Sequence, residues 1–386
     1  MRCSHVDLIV ALATLLELAG TATAGSQVSD EPTWKLSGYY LNLYTQSRTV
    51  VPAPESFTLD LNRLRLRLEG KPTASVGLDV QYDNEALLGS YIRTTQFTLT
   101  DARIATSLDL THDYATRGDL VARHGLYRAV LSWSGGNTDV KLGRQRIPIG
   151  TGYFWSPMDM LNPIDPTRLE RDYRVGADGL LIQQKLGAVA RVEGIYVPAT
   201  ARLSSVGAGY LHGNLRGTDY SLLVGRFRGD DAIGIDVSTS RGGLGIRGEA
   251  TATRAPEDTR YARVLVGADY GFANSATVTV EGYYNGQGTS DAVHYDVAGV
   301  LAGRVLNVAR WYGGVGASYQ VTPLVKASVY GVLNADDRSG VVWPRVEWSA
   351  RSDVDLVAGF QRFVGGAGTE YGRMSNLLHA EVRLFF

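Results

Sequence analysis

The last eleven residues of the chain read Asn376-Leu-Leu-His-Ala-Glu-Val-Arg-Leu-Phe-Phe386. Every second residue, counted back from the terminus, is apolar: Phe386, Leu384, Val382, Ala380 and Leu378. Polar or charged side chains stand between them, at His379, Glu381 and Arg383. Because successive side chains of a strand point to opposite faces of its sheet, this segment predicts a strand with one apolar and one ionic face.

This terminal segment resembles the closing strand of bacterial outer-membrane β-barrels, in which a terminal Phe follows alternating apolar residues. By that resemblance, the five apolar positions form the signal that the barrel-assembly machinery reads. The resemblance also implies insertion into outer-membrane lipid, in a Gram-negative bacterium.

The N-terminal residues have the pattern of a secretory signal peptide. Arg2 precedes a mostly apolar run over residues 8–20, and Thr21-Ala-Thr-Ala24 follows as a small-residue cleavage site. We predict a signal peptide over residues 1–24 and a periplasmic tail over residues 25–33. A buried helix or membrane anchor is the alternative, but the run is short for a bilayer core of about 30 Å. The only cysteine, Cys3, would leave with the signal, so we expect no disulfide, lipid anchor or thiolate metal site.

Composition narrows the class of protein further. After the signal, no window of 18 or more apolar residues predicts a transmembrane helix. Only helices and closed barrels satisfy every backbone polar group in lipid, so an exported membrane protein without such helices should be a barrel. The 45 Gly, 21 Tyr and 6 Trp suit tight turns and interfacial aromatic girdles. A soluble periplasmic β-sandwich would share the alternation. The net charge of -1 gives no sign of a nucleic-acid partner.

Alternating segments of about ten residues recur over residues 34–386 and predict an all-β, antiparallel transmembrane barrel. We predict about eighteen strands, with sixteen as the alternative if a hairpin is miscounted. An even number returns both termini to the periplasmic side. The predicted strands are 34–46, 57–69, 74–85, 123–134, 138–147, 174–185, 188–198, 206–214, 219–228, 231–240, 243–252, 261–270, 275–286, 307–320, 323–335, 341–350, 353–363 and 376–386.

Connections between these segments differ in length on the two sides. One side has tight turns of Gly, Pro and Asn, such as Gly135-Gly-Asn137 and Arg241-Gly-Gly243. The other side has longer connections, including those near 86–122 and 148–173. Short periplasmic turns and longer outer loops are typical of outer-membrane barrels.

Two consecutive predicted strands have ionic faces of opposite sign. The first has Arg63, Arg65 and Arg67 in phase, and the second has Asp79, Gln81 and Asp83. An arginine on the lipid face at the midplane would cost about 2–4 kcal/mol, so these faces should point inward. They either line the channel with a transverse field or neutralise one another as cross-strand pairs. Lys141 adds further inward polarity.

The third predicted outer loop, near 148–173, breaks the strand pattern. Four prolines within residues 148–166 cannot donate to a sheet ladder, so the chain should leave the wall after Arg146 and return near Arg174. Its apolar and aromatic residues are too numerous for free exposure to water. We therefore expect this loop to fold into the barrel or lie under a partner.

The loop also contains a run of short motifs. They are Gly143-Arg-Gln-Arg-Ile147, Gly150-Thr-Gly152, Trp155-Ser-Pro-Met-Asp159, Asn162-Pro163, Glu170-Arg171 and Gly176-Ala-Asp178. The run resembles the pattern of porin-like outer-membrane proteins of the alginate-export and phosphate-selective-porin type, a group related to the porin-like sheath of porin-cytochrome electron conduits. It departs from that pattern at Ile149, where an aromatic residue is common, and at Ser156, which replaces Asn.

In such porins the third loop commonly narrows the pore, so the resemblance implies a set of constriction residues. The candidates are Arg144, Arg146, Asp159, Asp165, Arg168, Glu170, Arg171 and Arg174. The alternative is that Arg144, Asn162, Glu170 and Asp178 only pin the loop to the wall through hydrogen bonds.

These observations predict a porin, a water-filled channel for passive diffusion of small polar or charged solutes, with no enzymatic activity. The second hypothesis is a sheath for a multihaem cytochrome. The chain has no C-x-x-C-H motif, so the haem would belong to that partner. We predict no cofactor, catalytic site or metal site, since no H-E-x-x-H or nucleophile motif occurs. A homo-oligomer stays open.

Overall fold

The computed structural model describes residues 33–100, 106–171, 173–174, 176–200, 204–301 and 305–386. In this part of the chain, nineteen strands form one antiparallel sheet that closes on itself. The predicted signal peptide, residues 1–24, lies outside the described residues. So does most of the predicted tail, whose last residue, Thr33, begins the first strand.

The strands follow one another along the chain with few helical interruptions. They are β1 Thr33–Arg48, β2 Ser56–Thr73, β3 Val76–Leu88, β4 Thr111–Arg117, β5 Leu120–Gly135, β6 Thr138–Gln145, β7 Ala177–Leu186, β8 Ala190–Val197, β9 Val206–Leu215, β10 Thr218–Phe227, β11 Asp230–Arg241, β12 Leu244–Arg254, β13 Arg260–Gly271, β14 Thr277–Asn285, β15 Trp311–Thr322, β16 Val325–Asn334, β17 Ser339–Arg351, β18 Val354–Val364 and β19 Leu377–Phe385. Two short α-helices, α1 Thr95–Thr100 and α2 Val297–Leu301, and 3-10 turns at Ser90–Arg93, Pro256–Asp258 and Ala292–His294 lie in the connections.

Eighteen of these strands form the closed wall, and the predicted eighteen-stranded antiparallel barrel is confirmed. β1 pairs with β2 on one edge and with β19 on the other, which closes the ring. Gly38 and Phe386 exchange backbone hydrogen bonds of 2.9 and 3.1 Å at this seam. The nineteenth strand, β4, was not predicted. It pairs only with the first part of β5, on the edge that β6 occupies farther along, and so extends the wall at one end.

Side chains alternate between the two faces of the wall, as the two-residue period requires. On β11, Ile233, Ile235 and Val237 point outward and are about half exposed, whereas Asp236 points inward and is 2% exposed. On β19, Leu378, Leu384 and Phe386 are exposed on the outward face, with Ala380 and Val382 in the same phase, while His379 and Glu381 are buried in the lumen. An apolar outer surface around a polar interior suits a wall that faces hydrocarbon. Among the described residues, no helix is long and apolar enough to cross a bilayer.

The start of β1 and the end of β19 lie at one end of the barrel, the predicted periplasmic end. Connections there are short, such as the turns at residues 136–137, 242–243 and 352–353. The opposite, outer end has the longer connections. Loop 3, residues 146–176, joins β6 to β7 there and enters the lumen, as predicted.

Loop 3 forms the core of the barrel with one side of the wall. Its residues Ile147, Met158 and Leu161 pack in one cluster with wall residues of β7 to β11, including Leu181 and Leu223. Phe154 and Trp155 form a second cluster with residues of β13 to β17, including Leu265 and Tyr283. Loop 3 therefore fills this side of the lumen, and open space remains toward β16, β17, β19, β1 and β2.

Closure between the first and last strands can be tested by cross-linking. We expect Tyr44→Cys/Ala380→Cys, in a Cys3→Ser background, to form a disulfide on mild oxidation. These residues are cross-strand partners, and directly opposed Cα atoms lie within the range of about 4.4–6.8 Å that a disulfide needs. Free thiols counted after denaturation give the result.

The matched control is Tyr44→Cys/Ala358→Cys. Ala358 lies opposite Ala380 on β18 and is one strand farther from Tyr44, so both thiols should stay free. Free thiols in both variants would show that the sheet is open.

Candidate functional site

Loop 3 is held in the lumen by two carboxylates of the barrel wall. The first is Glu249 of β12, which is 2% exposed. It accepts hydrogen bonds from the backbone N–H of Gly152 at 2.6 Å and of Met158 at 3.2 Å, and from the Ser156 hydroxyl at 2.9 Å. The N–H of Thr151 donates to the same carboxylate. Ser156, which replaces the Asn of the motif that this loop resembles, is therefore one of the groups that bind this carboxylate.

The second carboxylate is Glu281 of β14, which is 4% exposed. It accepts hydrogen bonds from the backbone N–H of Tyr153 at 2.6 Å and of Phe154 at 2.7 Å. Arg247 of β12 donates at 3.3 Å to the same Glu281 oxygen that accepts from Tyr153, and it also pairs with Asp269. Buried N–H groups outside a sheet ladder need such acceptors. We call Glu249, Glu281 and the loop amides that they bind the loop latch.

Backbone geometry at the latch requires glycine at two positions. Gly150 has a φ of +81°, a conformation that L side chains rarely adopt, and its N–H donates to the Tyr210 hydroxyl at 3.2 Å. A Cβ at Gly152 would overlap the carbonyl oxygen of Trp155. The indole of Trp155 stacks on Tyr283 with centroids 5.4 Å apart and donates to Asn307 at 3.0 Å.

The returning part of the loop is fixed by arginines. Glu170 accepts two hydrogen bonds from Arg63 of β2, at 2.6 and 3.2 Å. The Arg171 guanidinium donates to the Tyr153 carbonyl at 2.5 Å and lies 4.5 Å from the centroid of the Tyr153 ring. Loop 3 thus crosses the lumen from the latch to β2.

A cavity of about 630 Å³ remains between loop 3 and the wall formed by β16, β17, β19, β1 and β2. We call this cavity the passage. Its charged lining contains six cations and two carboxylates: Arg65, Arg171, Arg174, Lys326, Arg345, Arg383, Glu170 and Glu347. Within the described structure, the Arg345 Nε and both ring nitrogens of His379, which also lines the passage, are buried without a hydrogen-bond partner.

The predicted charge ladders are paired with each other. Arg65 faces Asp83 across β2 and β3 and donates two hydrogen bonds of 2.6 Å to it. Arg63 binds Glu85 at 2.6 Å. Both arginines are less than 10% exposed. Arg63 and Arg65 are therefore described better by cross-strand neutralisation, the second of the two alternatives, than by an open transverse field.

Nearer the periplasmic end, the ladder continues in a more exposed setting. Arg67 lies opposite Gln81, so it reaches diagonally to Asp79, at 2.9 and 3.1 Å. Asp79 and Gln81 line a separate cavity of about 670 Å³ there, together with Lys141 and Arg146.

Other loop candidates lie in three different settings. The Arg144 guanidinium is buried against Asp178 at 2.7 and 3.0 Å, outside the passage, and ties β6 to β7. Asp159 is 3% exposed, and its carboxylate is 3.6 Å from the Arg174 guanidinium. Asp165 and Arg168 lie at the outer end, where Asp165 accepts hydrogen bonds from Thr167. For Arg144, the alternative role of pinning the loop to the wall fits this position better than a role in the constriction.

Sequence reasoning missed the latch and much of the passage lining. Lys326, Arg345 and Glu347 share the inward phase of β16 and β17, but only the closed ring shows that they face Arg171 of loop 3. The alternation of polar and apolar residues predicts that these side chains face the lumen. It does not predict their contact with the loop, because that contact joins residues more than 150 positions apart.

Comparison with known proteins finds solved structures with a similar fold. No protein-family model and no curated protein sequence matches the chain. Among solved structures, OprD of Pseudomonas aeruginosa matches with a TM-score of 0.58 and 11% identity, over 92% of this chain and 95% of that one. OccD3 (OpdP) of Pseudomonas aeruginosa gives 0.57 and 11%, over 96% of each chain. A mutant of the Rhodopseudomonas blastica porin gives 0.50 and 12%, over 92% and 100%. At these identities the likeness concerns the barrel alone.

Removal of one latch carboxylate should loosen the loop. We expect Glu281→Ala to raise single-channel conductance and current noise in planar bilayers, because two backbone N–H groups lose a charged acceptor worth about 1.5–3 kcal/mol each. Glu281→Gln keeps one acceptor oxygen and should have a smaller effect. Asp231→Asn, which changes an exposed outward carboxylate, serves as the control. Wild-type conductance in Glu281→Ala would contradict the latch.

The ninth outer loop, residues 365–376, should respond to pH through Glu370. Burial raises the pKa of this carboxyl to about 7, against hydrogen bonds from Tyr312 and Asn334 that lower it. An acid with a raised folded-state pKa stabilises the loop below its usual pKa near 4.5, and this contribution is lost as pH rises through about 7. Limited proteolysis of residues 365–376 should therefore accelerate between pH 6 and pH 8.

Glu370→Gln tests the assignment, since a neutral amide cannot ionise. The variant should show the same loop proteolysis at pH 6 and at pH 8. A pH dependence equal to that of the wild type would place the titrating group elsewhere.

Proposed function

We propose that this protein is an outer-membrane porin that lets small polar and charged solutes diffuse passively and that favours anions. The observation that supports this is the excess of cations in the passage, where six basic side chains face two carboxylates. Water-filled channels select by size and by the charge of their lining, and low-dielectric walls strengthen that field.

The carboxylates that pair with these cations lie behind them. Asp83, Asp159 and Glu381 are each 5% exposed or less, and they contact Arg65, Arg174 and Arg383 from the wall or loop side. The guanidinium groups therefore stand between the buried carboxylates and the water of the passage. A solute in the passage meets mainly positive charge.

The geometry gives no support to the cytochrome sheath. Loop 3 fills one side of the lumen, and the passage of about 630 Å³ is far smaller than a haem protein domain. A porin needs only room for small solutes, and the Rhodopseudomonas blastica neighbour with the same fold is a porin by name.

The remaining parts of the proposal concern export and assembly. We propose that residues 1–24 direct export and are removed. The outward residues Leu378, Ala380, Val382, Leu384 and Phe386 would then be read by the barrel-assembly machinery, and a homo-oligomer is compatible with the apolar exterior. No catalytic role is proposed, and the described residues hold no group of three or more metal-ligating side chains.

Ion selectivity tests the proposed preference. In a KCl gradient across a planar bilayer, the wild-type reversal potential should have the sign of a channel that favours chloride. Lys326→Gln/Arg345→Gln/Arg383→Gln removes three cations that line the passage, so the potential should shift toward cation preference.

The matched control also removes three positive charges. Arg226, Arg254 and Arg260 lie on the exposed outer rim and pair with Asp231 or Asp258. Their combined change to Gln should leave the reversal potential unchanged. A cation-selective wild type, or equal shifts in the two triple variants, would contradict the proposal.

A further inference from the structure

Two histidines face each other where β4 pairs with β5 at the outer end of the wall. His112 of β4 and His124 of β5 are cross-strand partners. Their ring centroids are 5.7 Å apart, with an angle of 70° between the ring planes. Directly opposed residues of an antiparallel pair have Cβ atoms about 4.5–5.5 Å apart on one face of the sheet. The two imidazoles therefore meet because the hairpin forms.

This histidine pair lies on the outward face of the wall. His124 is opposite Asn84 of β3. Asn84 stands between Asp83 and Glu85, which both bind arginines inside the lumen. Because successive side chains of a strand point to opposite faces, Asn84 points outward, and so do the two histidines in register with it.

The pair lies at the outer edge of the apolar band. Trp133 of β5 is 45% exposed near the periplasmic end, and His124 is nine positions away toward the outer end. At about 3.3 Å per residue and a strand tilt of about 35–45°, this separation gives about 21–24 Å of height, close to the band of about 25 Å. His112 is exposed. An ion can therefore reach the pair from the outer aqueous side.

The contacts of this pair are made by ring faces and edges. Tyr82 and Tyr114 pack on the ring of His124, with centroids at 5.7 and 5.8 Å. The Tyr114 hydroxyl donates to Asn84 at 3.1 Å, which fixes the tyrosine beside the histidine. Within the described ranges, no hydrogen bond or ion pair engages either imidazole. The ring nitrogens can therefore serve as ligands without breaking an existing bond.

Two opposed imidazoles favour a divalent transition-metal ion. Imidazole suits Zn²⁺, Cu²⁺ and Ni²⁺, whereas Mg²⁺ and Ca²⁺ prefer oxygen ligands. Zinc lies about 2.0–2.1 Å from each imidazole nitrogen, so one ion fits between rings at this spacing, and water can complete its shell. The sequence analysis predicted no metal site, because residues 112 and 124 match no ligand motif and meet only through strand pairing.

We propose that His112 and His124 form a two-histidine site for a divalent transition-metal ion on the outer surface of the wall. The ion joins β4 to β5, which is the only strand that pairs with β4 in the described part of the chain. Just before β4, the N–H of Leu108 donates to Asp178 of β7 at 2.8 Å. A bound ion thus holds the second outer loop beside its contact with the wall. The site is separate from the passage and independent of the proposed porin function.

Calorimetry with zinc on the purified, untagged barrel in detergent tests the site. Wild type should bind one zinc ion, and magnesium should not compete. His112→Gln and His124→Gln each leave a single imidazole. Either change should weaken zinc binding by at least about a hundredfold, because a second ligand held on the same surface raises affinity by about 10²–10⁴-fold.

Two controls separate the facing pair from histidine content. His112→Gln/Arg117→His keeps two histidines in the hairpin, but Arg117 lies opposite Leu120, four positions from His124 and so about 13 Å away along the strand. This variant should bind zinc as weakly as His112→Gln. His294→Gln removes an exposed histidine that lies 2.8 Å from a carboxylate of Asp291, and it should bind zinc like the wild type. Circular dichroism confirms that each variant is folded.

Hydrogen exchange of the β4 amides gives a second readout. With zinc at a hundred times its Kd, transient opening of β4 should become about a hundredfold rarer in wild type and stay unchanged in His112→Gln. The proposed site is overturned if wild type binds no zinc, if the relocated variant binds it as tightly as wild type, or if His294→Gln loses as much affinity as His112→Gln. Zinc binding at the pair without slower exchange in β4 overturns the role in holding the second loop.

Discussion

A chain segment that leaves a β-sheet and enters the interior of a barrel loses its ladder partners, and its backbone N–H groups need other acceptors. Glu249 and Glu281 are those acceptors. Each is almost fully buried, and together they bind the N–H groups of residues 151–154 and 158. A buried carboxylate without hydrogen-bond donors would be destabilising, so Glu249 and Glu281 need the loop amides as much as the amides need them. Loop and wall therefore stabilise each other.

This latch decides the shape of the lumen. The loop residues that follow the first contact, Phe154 and Trp155, pack on the wall from β13 to β17, and Met158 packs on β7 to β11. The returning part, with Arg171 and Arg174, then faces the opposite side of the barrel. A symmetric ring of strands thereby encloses an asymmetric lumen, apolar and filled on one side, basic and open on the other. The proposed anion preference follows from that asymmetry.

Much of this fold could be predicted from sequence, because its causes are local. The two-residue period located all eighteen wall strands, and four prolines with an apolar run located a loop that enters the lumen. β4 was missed because Thr111–Arg117 is short, mostly polar and pairs with only one strand. Glu249 and Glu281 look like any inward polar residue in a strand, and nothing in their neighbours indicates partners that lie 91 to 128 positions away.

The charge ladders show the same limit at the level of single contacts. Opposite signs on neighbouring strands were clear, but pairing depends on register, and the register places Arg65 directly opposite Asp83 while Arg67 faces Gln81. The local sequence pattern therefore predicted which charged side chains face the lumen. Only the three-dimensional arrangement separates the paired arginines from the cations that face water.

The most direct test of this account asks which side of the lumen conducts. Cysteine can be placed at Lys326, which lines the passage, and separately at Leu265, which is fully buried behind loop 3. A charged, membrane-impermeant thiol reagent is then added while single-channel current is recorded in a planar bilayer. The account predicts that Lys326→Cys is modified rapidly with a stepwise fall in current and that Leu265→Cys stays unmodified. Equal modification at both positions, or modification at Leu265→Cys alone, would contradict it.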